Sequence, residues 1–136
     1  MSTAQELARA IKKAPRVYIC GNGGSAANAI HIANDLVAHG IKAHALTADI
    51  ATLTAIANDY SYSEIFAQQL DVFGEFDDLL IALSGSGKSP NILEAIATAE
   101  TIGMKVFKLF GNERGENMQV AENMQLVIAH EAVAYL

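Results

Sequence analysis

The sequence predicts an α/β fold in which helices flank a single doubly wound, mainly parallel sheet. Short, continuous apolar segments alternate with helical patterns along the chain, and such segments are typical of parallel strands covered on both faces. Two Gly-rich turns each follow an apolar segment and precede a helical pattern, which is where such sheets bind ligands. With 136 residues, 51% of them hydrophobic, the chain can form a substantial core. We therefore expect a single domain over residues 1–136.

The predicted elements follow the hydrophobic periodicity in chain order. Residues 1–14 hold a short amphipathic helix at 4–13, which Ala14 and Pro15 end, and the core covers 15–136. Apolar runs predict strands at 16–20, 41–46, 76–83, 105–109 and 125–128. Helical spacing predicts helices at 25–40, 50–57, 63–72 and 92–102, and a last one from 129 onward. We expect a loop at 111–117 and a short helix or turn at 119–123.

The charge and hydropathy of the chain argue against binding to nucleic acid or to a membrane. The net charge is −6 and charged residues make up 18% of the chain, so no basic stripe is present to bind nucleic acid or an anionic membrane. No apolar run approaches the roughly twenty residues of a membrane span, and the first residues do not form a secretory leader. We expect a cytoplasmic protein. The single cysteine, Cys20, ends a predicted strand and is expected in the core.

The first Gly-rich turn occupies residues 20–27. Its glycines, Gly23 and Gly24 among them, let the backbone approach a ligand, and the following helix offers unpaired N–H groups at its positive end. Asn22 and Ser25 add polar side chains. The turn lacks the Lys-Ser/Thr ending of a P-loop and the spaced glycines of a dinucleotide-binding turn. The features favour an anion site, although Gly, Ser and Asn also dominate ordinary turns.

The second Gly-rich turn occupies residues 84–91. Ser84, Gly85, Ser86 and Ser89 can donate hydroxyl and backbone hydrogen bonds to one phosphate without adding formal charge. Ser89 could instead be only a helix cap, with Pro90 at the first helical position. Two such turns in one small domain together predict a site for a phosphorylated small molecule.

A second group of residues suggests metal or acid–base chemistry. His31 and Asp35 are four residues apart on one predicted helix, so they share a face. They could bind a metal ion, transfer protons, or form only a surface pair. His130 follows the last predicted strand, and if it starts a helix at the carboxyl end of that strand it could join them. Two histidines and one carboxylate would suit zinc or a similar divalent ion.

Two further sites lie at the ends of the third predicted helix. Asn58 and Asp59 close the helix, and they either stop it or face the ligand. Asp49 and Thr52 are typical of a cap at its start, where either side chain could also contact a ligand hydroxyl.

Taken together, the motifs at 20–26, 45–49, 53–60 and 84–91 and the helix with His31 and Asp35 resemble the sugar isomerase (SIS) fold of the phosphoheptose isomerases. The resemblance runs from about residue 16 to the end of the chain. It implies a flavodoxin-like three-layer SIS domain that interconverts sedoheptulose 7-phosphate and D-glycero-D-manno-heptose 7-phosphate.

The resemblance also implies roles by position. It implies sugar contacts for Asn22, Gly23, Gly24 and Ser25, phosphate contacts for Ser84, Gly85, Ser86 and Ser89, and a lining of the sugar chain by Asn58 and Asp59. It further implies that His31, Asp35 and His130 hold a divalent metal, zinc in the family, and that His31 and Asp35 serve catalysis.

Three departures from the family pattern leave three interpretations. Asp35 stands where the family has a longer glutamate, and His130 stands where it has a glutamine ligand. The family's catalytic histidine would fall eight residues beyond His130, past Leu136. The chain could be a compact isomerase, which we favour, a non-catalytic module that binds a sugar phosphate or a protein, or a paralogue for another phosphosugar.

The helix at 26–38 is rich in alanine and poor in charge. Such a surface suits contact between subunits. We expect a homodimer or homotetramer.

Overall fold

Four parallel strands form one sheet in the computed structural model, which describes residues 1–111 and 118–136, with side chains from residue 122 onward in the second range. The strands are β1 (Val17–Cys20), β2 (Ala43–Ala45), β3 (Leu79–Ser84) and β4 (Lys105–Phe110). Their order is β2-β1-β3-β4, and every pairing is parallel. The chain therefore changes direction across the sheet between β1 and β3, and doubly wound folds bind ligands at such a switch point.

Helices cover the sheet as the alternating pattern predicts. They are α1 (Thr3–Lys13), α2 (Gly24–Ala38), α3 (Ile50–Asp59), α4 (Ala67–Phe73), α5 (Pro90–Ile102) and α6 (Met118–Val133), with a short 3₁₀ turn at Tyr62–Glu64. The α/β class and the parallel sheet are confirmed. Within the described ranges, no helix combines the length and the apolar character needed to cross a bilayer.

Alternate residues of the central strands divide the core between two faces. Val17 and Ile19 of β1 pack with α1, α2 and α6 on one face, whereas Tyr18 and Cys20 pack with α4 and α5 on the other. This alternation follows from the two-residue period of a strand. Burial raises the pKa of the Cys20 thiol to about 12, so Cys20 is a core residue, as expected.

The prediction of a strand at 125–128 and a new helix from 129 is wrong. One helix, α6, covers both segments. A short apolar run fits a strand or a buried helix equally well, and here the buried positions are Gln125, Ala129 and Ala132, which follow a helical period. His130 therefore lies within a helix and not at the end of a strand.

Smaller differences occur elsewhere. The predicted helix at 63–72 is a 3₁₀ turn followed by α4. β3 begins at Leu79, later than predicted, because Asp77 adopts a positive φ of 68° in the turn before it. Most of the predicted loop at 111–117 lies outside the described residues.

Candidate functional site

The serine loop, residues 84–89, connects β3 to α5 at the carboxyl edge of the sheet. The Ser84 hydroxyl is buried and accepts a hydrogen bond from the Gly87 N–H at 2.9 Å, and the Ser86 hydroxyl accepts one from the Lys88 N–H at 3.1 Å. Gly87 allows this fold-back because its φ is +69°. In both contacts the serine oxygen accepts, so each hydroxyl hydrogen can still be donated.

Ser89 is the N-cap residue of α5 by position, but its side chain does not cap the helix. Pro90 occupies the first helical position, as predicted, and the cap residue makes no side-chain hydrogen bond to the first turn. The Ser89 hydroxyl instead lies 3.5 Å from that of Ser86. Two half-buried hydroxyls thus stand beside the N-terminus of a helix, whose N–H groups and dipole favour an anion.

The glycine loop, residues 21–24, leads from β1 into α2. A Cβ at Gly21 would lie 2.7 Å from the Ser25 carbonyl oxygen, so only glycine fits there. Gly23 has a φ of +56° at the N-cap position of α2, and no side chain caps this helix. Gly23 and Gly24 are both exposed. A Cβ at Gly24 would collide with the Glu122 carboxylate, so any other residue there would make this flexible side chain of α6 move aside.

The two loops leave neighbouring strands and contact one another through Asn22. The Asn22 Nδ2 group donates to Asn91 Oδ1 at 2.8 Å, and the Asn91 Nδ2 group donates to Asn22 Oδ1 at 2.8 Å. Asn91 lies in the first turn of α5 and is buried. The reciprocal pair therefore joins the start of the glycine loop to the helix that follows the serine loop.

His31, Asp35 and His130 converge although His130 belongs to a different helix. The two Nε2 atoms are 3.1 Å apart, and each lies 3.4 Å from Asp35 Oδ2. The two rings are tilted by 56° and do not stack, and it is the short distance between their Nε2 atoms that places both nitrogens beside the carboxylate. The structure brings together the three residues that the sequence analysis grouped.

The donor set fits a divalent metal ion. Tetrahedral zinc with nitrogen and oxygen ligands at about 2.0–2.1 Å has ligand atoms about 3.3 Å apart, and the three atoms here are separated by 3.1–3.4 Å. The side chains of His31 and His130 are 51% and 56% exposed. Three ligands on an open surface leave room for a substrate oxygen, as catalytic metal sites require.

A buried polar bridge holds α6 against α2 beneath this triad. The Asn28 Nδ2 group donates to Gln125 Oε1 and to the Glu122 carbonyl, both at 2.9 Å. The Ser25 hydroxyl contacts the Gln125 carboxamide at 3.1–3.2 Å. The sequence analysis missed Asn28 and Gln125, although polar residues on the buried stripe of two helices are a signal for such a bridge.

The position of Ser25 differs from the expectation of a ligand contact. Its side chain is 2% exposed and faces Gln125, while its N–H group donates to the Asn22 carbonyl at 2.9 Å. The hydroxyl and the N–H group of Ser25 are thus both bonded to protein groups in the interior.

Asn58 and Asp59 are exposed at the end of α3 and contact each other, with the Asn58 Nδ2 group donating to Asp59 Oδ1 at 3.0 Å. Among the described residues, no side-chain hydrogen bond joins them to the serine loop or to the triad. At the start of the same helix, Asp49 accepts from the Thr52 N–H at 3.2 Å, which confirms the predicted cap.

Comparison with known proteins agrees with this architecture. The SIS domain profile matches residues 2–111, a region that begins before the residue 16 expected from the motifs. A phosphoheptose isomerase from Helicobacter pylori (strain P12) is 42% identical over 119 residues, which are 83% of this chain and 62% of that protein. The chain spans about three fifths of the length of the curated relatives it matches.

Solved structures show the same similarity. A phosphoheptose isomerase from Neisseria gonorrhoeae has a TM-score of 0.89 at 29% identity, covering 97% of this chain and 81% of that one. The enzyme of the same name from Francisella tularensis has a TM-score of 0.89 at 31% identity, covering 97% and 83%. The chain therefore belongs to the SIS domain family, and within that family it is similar to the phosphoheptose isomerases.

Proposed function

We propose that this chain interconverts a phosphorylated ketose and its aldose, with sedoheptulose 7-phosphate and D-glycero-D-manno-heptose 7-phosphate as the pair. The observation that carries the proposal is the convergence of His31, Asp35 and His130 within 3.4 Å. The helix that supplies two of these residues starts at the glycine loop, which contacts the helix after the serine loop. Relatives named phosphoheptose isomerase support this choice of reaction.

In this proposal the serine loop holds the phosphate. Ser84, Ser86 and Ser89 donate hydroxyl hydrogens, Gly85 lets the backbone come close, and the N-terminus of α5 adds its N–H groups and dipole. Hydroxyls and dipoles suit a chain with a net charge of −6, because they bind a dianion without a basic patch.

His31, Asp35 and His130 hold a divalent metal ion, which we propose is zinc. When bound, such an ion acts as a Lewis acid that polarises the sugar carbonyl and the adjacent hydroxyl. Asp35 Oδ2 faces both histidines, which leaves its Oδ1 atom for proton transfer.

Asp35 then serves as the acid–base residue. Its carboxylate takes a proton from carbon 1 of the ketose and returns it to carbon 2 of the enediol, while the hydroxyl proton moves from the oxygen on carbon 1 to the oxygen on carbon 2, which gives the aldose. Aspartate is one methylene shorter than glutamate, so the substrate must approach α2 closely.

The remaining predicted residues contact the sugar. Gly23 and Gly24 are exposed and offer backbone N–H groups to its hydroxyls, and Asn58 and Asp59 line its far side from the end of α3. For Ser25 we propose support of the bridge to α6.

A direct assay of ketose-to-aldose conversion tests the reaction, together with the metal content of the purified protein. We expect conversion that a chelator abolishes, and loss of both metal and activity in His31→Ala. His39→Ala is a matched control, because His39 caps the end of the same helix and its side chain, among the described residues, hydrogen-bonds to the Asp35 carbonyl and not to the triad side chains. Metal-free protein that binds sugar phosphate without turnover would contradict the proposal and indicate a binding module.

We further propose that the chain acts in the cytoplasm as a homodimer or homotetramer. Exposed apolar side chains on α2 and α6, such as Ile30, Val37, Met124 and Val127, support a contact between subunits. Light scattering on a sizing column tests this, and a monomer at micromolar concentration would contradict it.

A further inference from the structure

Tyr62 adds a third side chain to the Asn22–Asn91 pair. Its hydroxyl donates to Asn22 Oδ1 at 3.2 Å from the 3₁₀ turn that follows α3. The side chains of Asn22, Asn91 and Tyr62, which we call the amide clasp, thus join three segments that are far apart in the sequence. These segments are the glycine loop, the start of α5 after the serine loop, and the chain just beyond Asn58 and Asp59.

The clasp uses almost all of the hydrogen-bonding capacity of Asn22. A carboxamide offers two donor hydrogens and two acceptor positions. Asn22 Oδ1 accepts from both Asn91 and Tyr62, and Asn22 Nδ2 donates once to Asn91. Within the part of the chain that the structure describes, the second N–H of Asn22 has no partner and can serve a ligand, and three hydrogen bonds fix the direction in which it points.

We propose that the amide clasp is a positioning device, which sets the glycine loop and the serine loop at the separation that one sugar phosphate spans. The inference rests on the proposed function, because it takes the phosphate to lie in the serine loop and the sugar to lie at the glycine loop. Asn91 is 2% exposed and belongs to the helix that follows the phosphate-binding turn. Asn22 belongs to the turn that starts the metal-bearing helix. A shift in the pair would move one half of the site relative to the other.

The clasp should affect two ligands differently. Inorganic phosphate needs only the serine loop and the start of α5, whereas a sugar phosphate must reach both loops. A loosened clasp should therefore weaken sugar phosphate binding and leave phosphate binding nearly unchanged. If the clasp served stability alone, the ratio of the sugar phosphate affinity to the inorganic phosphate affinity would be the same in the variants as in wild type.

Calorimetric titration with sedoheptulose 7-phosphate and with inorganic phosphate separates these cases. Tyr62→Phe removes one neutral hydrogen bond, and we expect sugar phosphate affinity to fall about three- to tenfold. Asn91→Leu removes the reciprocal pair at similar volume, and we expect a fall of about ten- to a hundredfold. Inorganic phosphate affinity should change by less than about twofold in both variants, within the spread of a surface substitution.

Tyr60→Phe is the matched control. Tyr60 lies two residues away and is 69% exposed, compared with 61% for Tyr62, and no hydrogen bond of its hydroxyl occurs among the described residues. It should keep both affinities. If Asn91→Leu does not fold, Tyr62→Phe decides the question, because its side chain lies at the surface.

The outcomes separate the two proposals. Equal ratios of the two affinities in wild type, Tyr62→Phe and Asn91→Leu would overturn the clasp, whatever the activity. Sugar phosphate binding without turnover would overturn the isomerase and leave the ratio test of the clasp intact. Wild-type protein that binds no sugar phosphate would overturn both.

Discussion

Helices α1 and α3 begin with side-chain caps, whereas α2 and α5 begin without them. The Ser2 hydroxyl accepts from the Gln5 N–H at 3.1 Å, and the Gln5 side chain accepts in return from the Ser2 N–H at 2.9 Å. Asp49 accepts from both the N–H and the hydroxyl of Thr52. These caps satisfy donors that a helix start otherwise leaves unpaired.

The uncapped helices α2 and α5 follow the two central strands, whereas α4, which also lacks a side-chain cap, follows the 3₁₀ turn. Gly23 and Ser89 are their N-cap residues, and neither supplies a side-chain hydrogen bond. α3 also follows a strand, but β2 lies at the edge of the sheet. Among α2, α3 and α5, which each follow a strand, the two that start at the switch point between β1 and β3 lack a side-chain cap, and their free N–H groups can serve a ligand.

The strongest test of this distinction concerns α2, the helix that lacks a cap and carries His31 and Asp35 of the triad. We expect Asp35→Asn to lower kcat by about 10²- to 10⁴-fold, because the amide cannot accept the substrate proton. The fold should persist, since Asp35 is partly exposed. Steady-state kinetics and a melting curve measure both effects. Asp71→Asn, an exposed change on α4, should leave kcat unchanged. Activity retained in Asp35→Asn would refute the role of Asp35 as acid and base.

The next test asks whether buried side chains replace the missing cap of α2. Gln125→Leu leaves the Ser25 hydroxyl without its side-chain partner and Asn28 with the Glu122 carbonyl alone, which should cost about 1–3 kcal/mol and lower Tm by about 3–10 °C. Zinc affinity should fall as well, because the bridge sets the position of His130 relative to α2.

Gln69→Leu is the matched control for this bridge. Gln69 is also buried, and its side chain donates to the Leu46 and Ile65 carbonyls on the other face of the sheet. Gln69→Leu should therefore lower Tm and leave the zinc affinity unchanged. Equal zinc affinity in the two variants would show that the bridge stabilises the fold alone.

A third test adds a cap where none exists. Ser89→Asp places a carboxylate at the start of α5, in the way that Asp49 caps α3, and should keep or raise Tm. The same charge would repel a phosphate, so phosphate affinity should fall at least about tenfold. Ser89→Asn, a neutral cap of similar size, separates charge from capping. If Ser89→Asp binds phosphate as well as wild type does, the phosphate does not lie at this helix start.

The sequence was sufficient to locate the central sheet and both ligand loops. Continuous apolar runs bounded by glycine mark β1 and β3, and they end at the loops in the structure as predicted. The pairing of His31 with Asp35 follows from their spacing on α2. These features are local, so a single stretch of sequence contains them.

The features that sequence reasoning missed are long-range. Gln125 meets Asn28 across 97 residues, and Asn91 meets Asn22 across 69; no local pattern encodes such contacts. The segment 125–128 of α6 is predicted as a strand partly for this reason, because Gln125 is buried and its side-chain partners lie on α2. Counted as a buried position, Gln125 would have revealed the helical period.

The smallest expected effect distinguishes the two capped helices from each other. Hydrogen bonds from the Thr52 N–H and then from the Thr52 hydroxyl lower the pKa of Asp49. A carboxylate whose pKa is lower in the folded state stabilises the fold above its unfolded pKa of about 3.9, and loses this contribution as the pH falls through the folded value.

Urea unfolding at pH 7 and at pH 3 should therefore show a smaller difference between wild type and Asp49→Asn at the lower pH. The effect should be slight, because Asp49 is fully exposed and solvent and salt screen its charge. Ser2→Ala removes the uncharged cap of α1, so its cost should be the same at both pH values. The result that would contradict this is a loss of unfolding free energy that depends on pH for Ser2→Ala and is the same at both pH values for Asp49→Asn. Charge would then play no part in capping α3. The two capped helices would differ from α2 and α5 only in having a side-chain acceptor at their start.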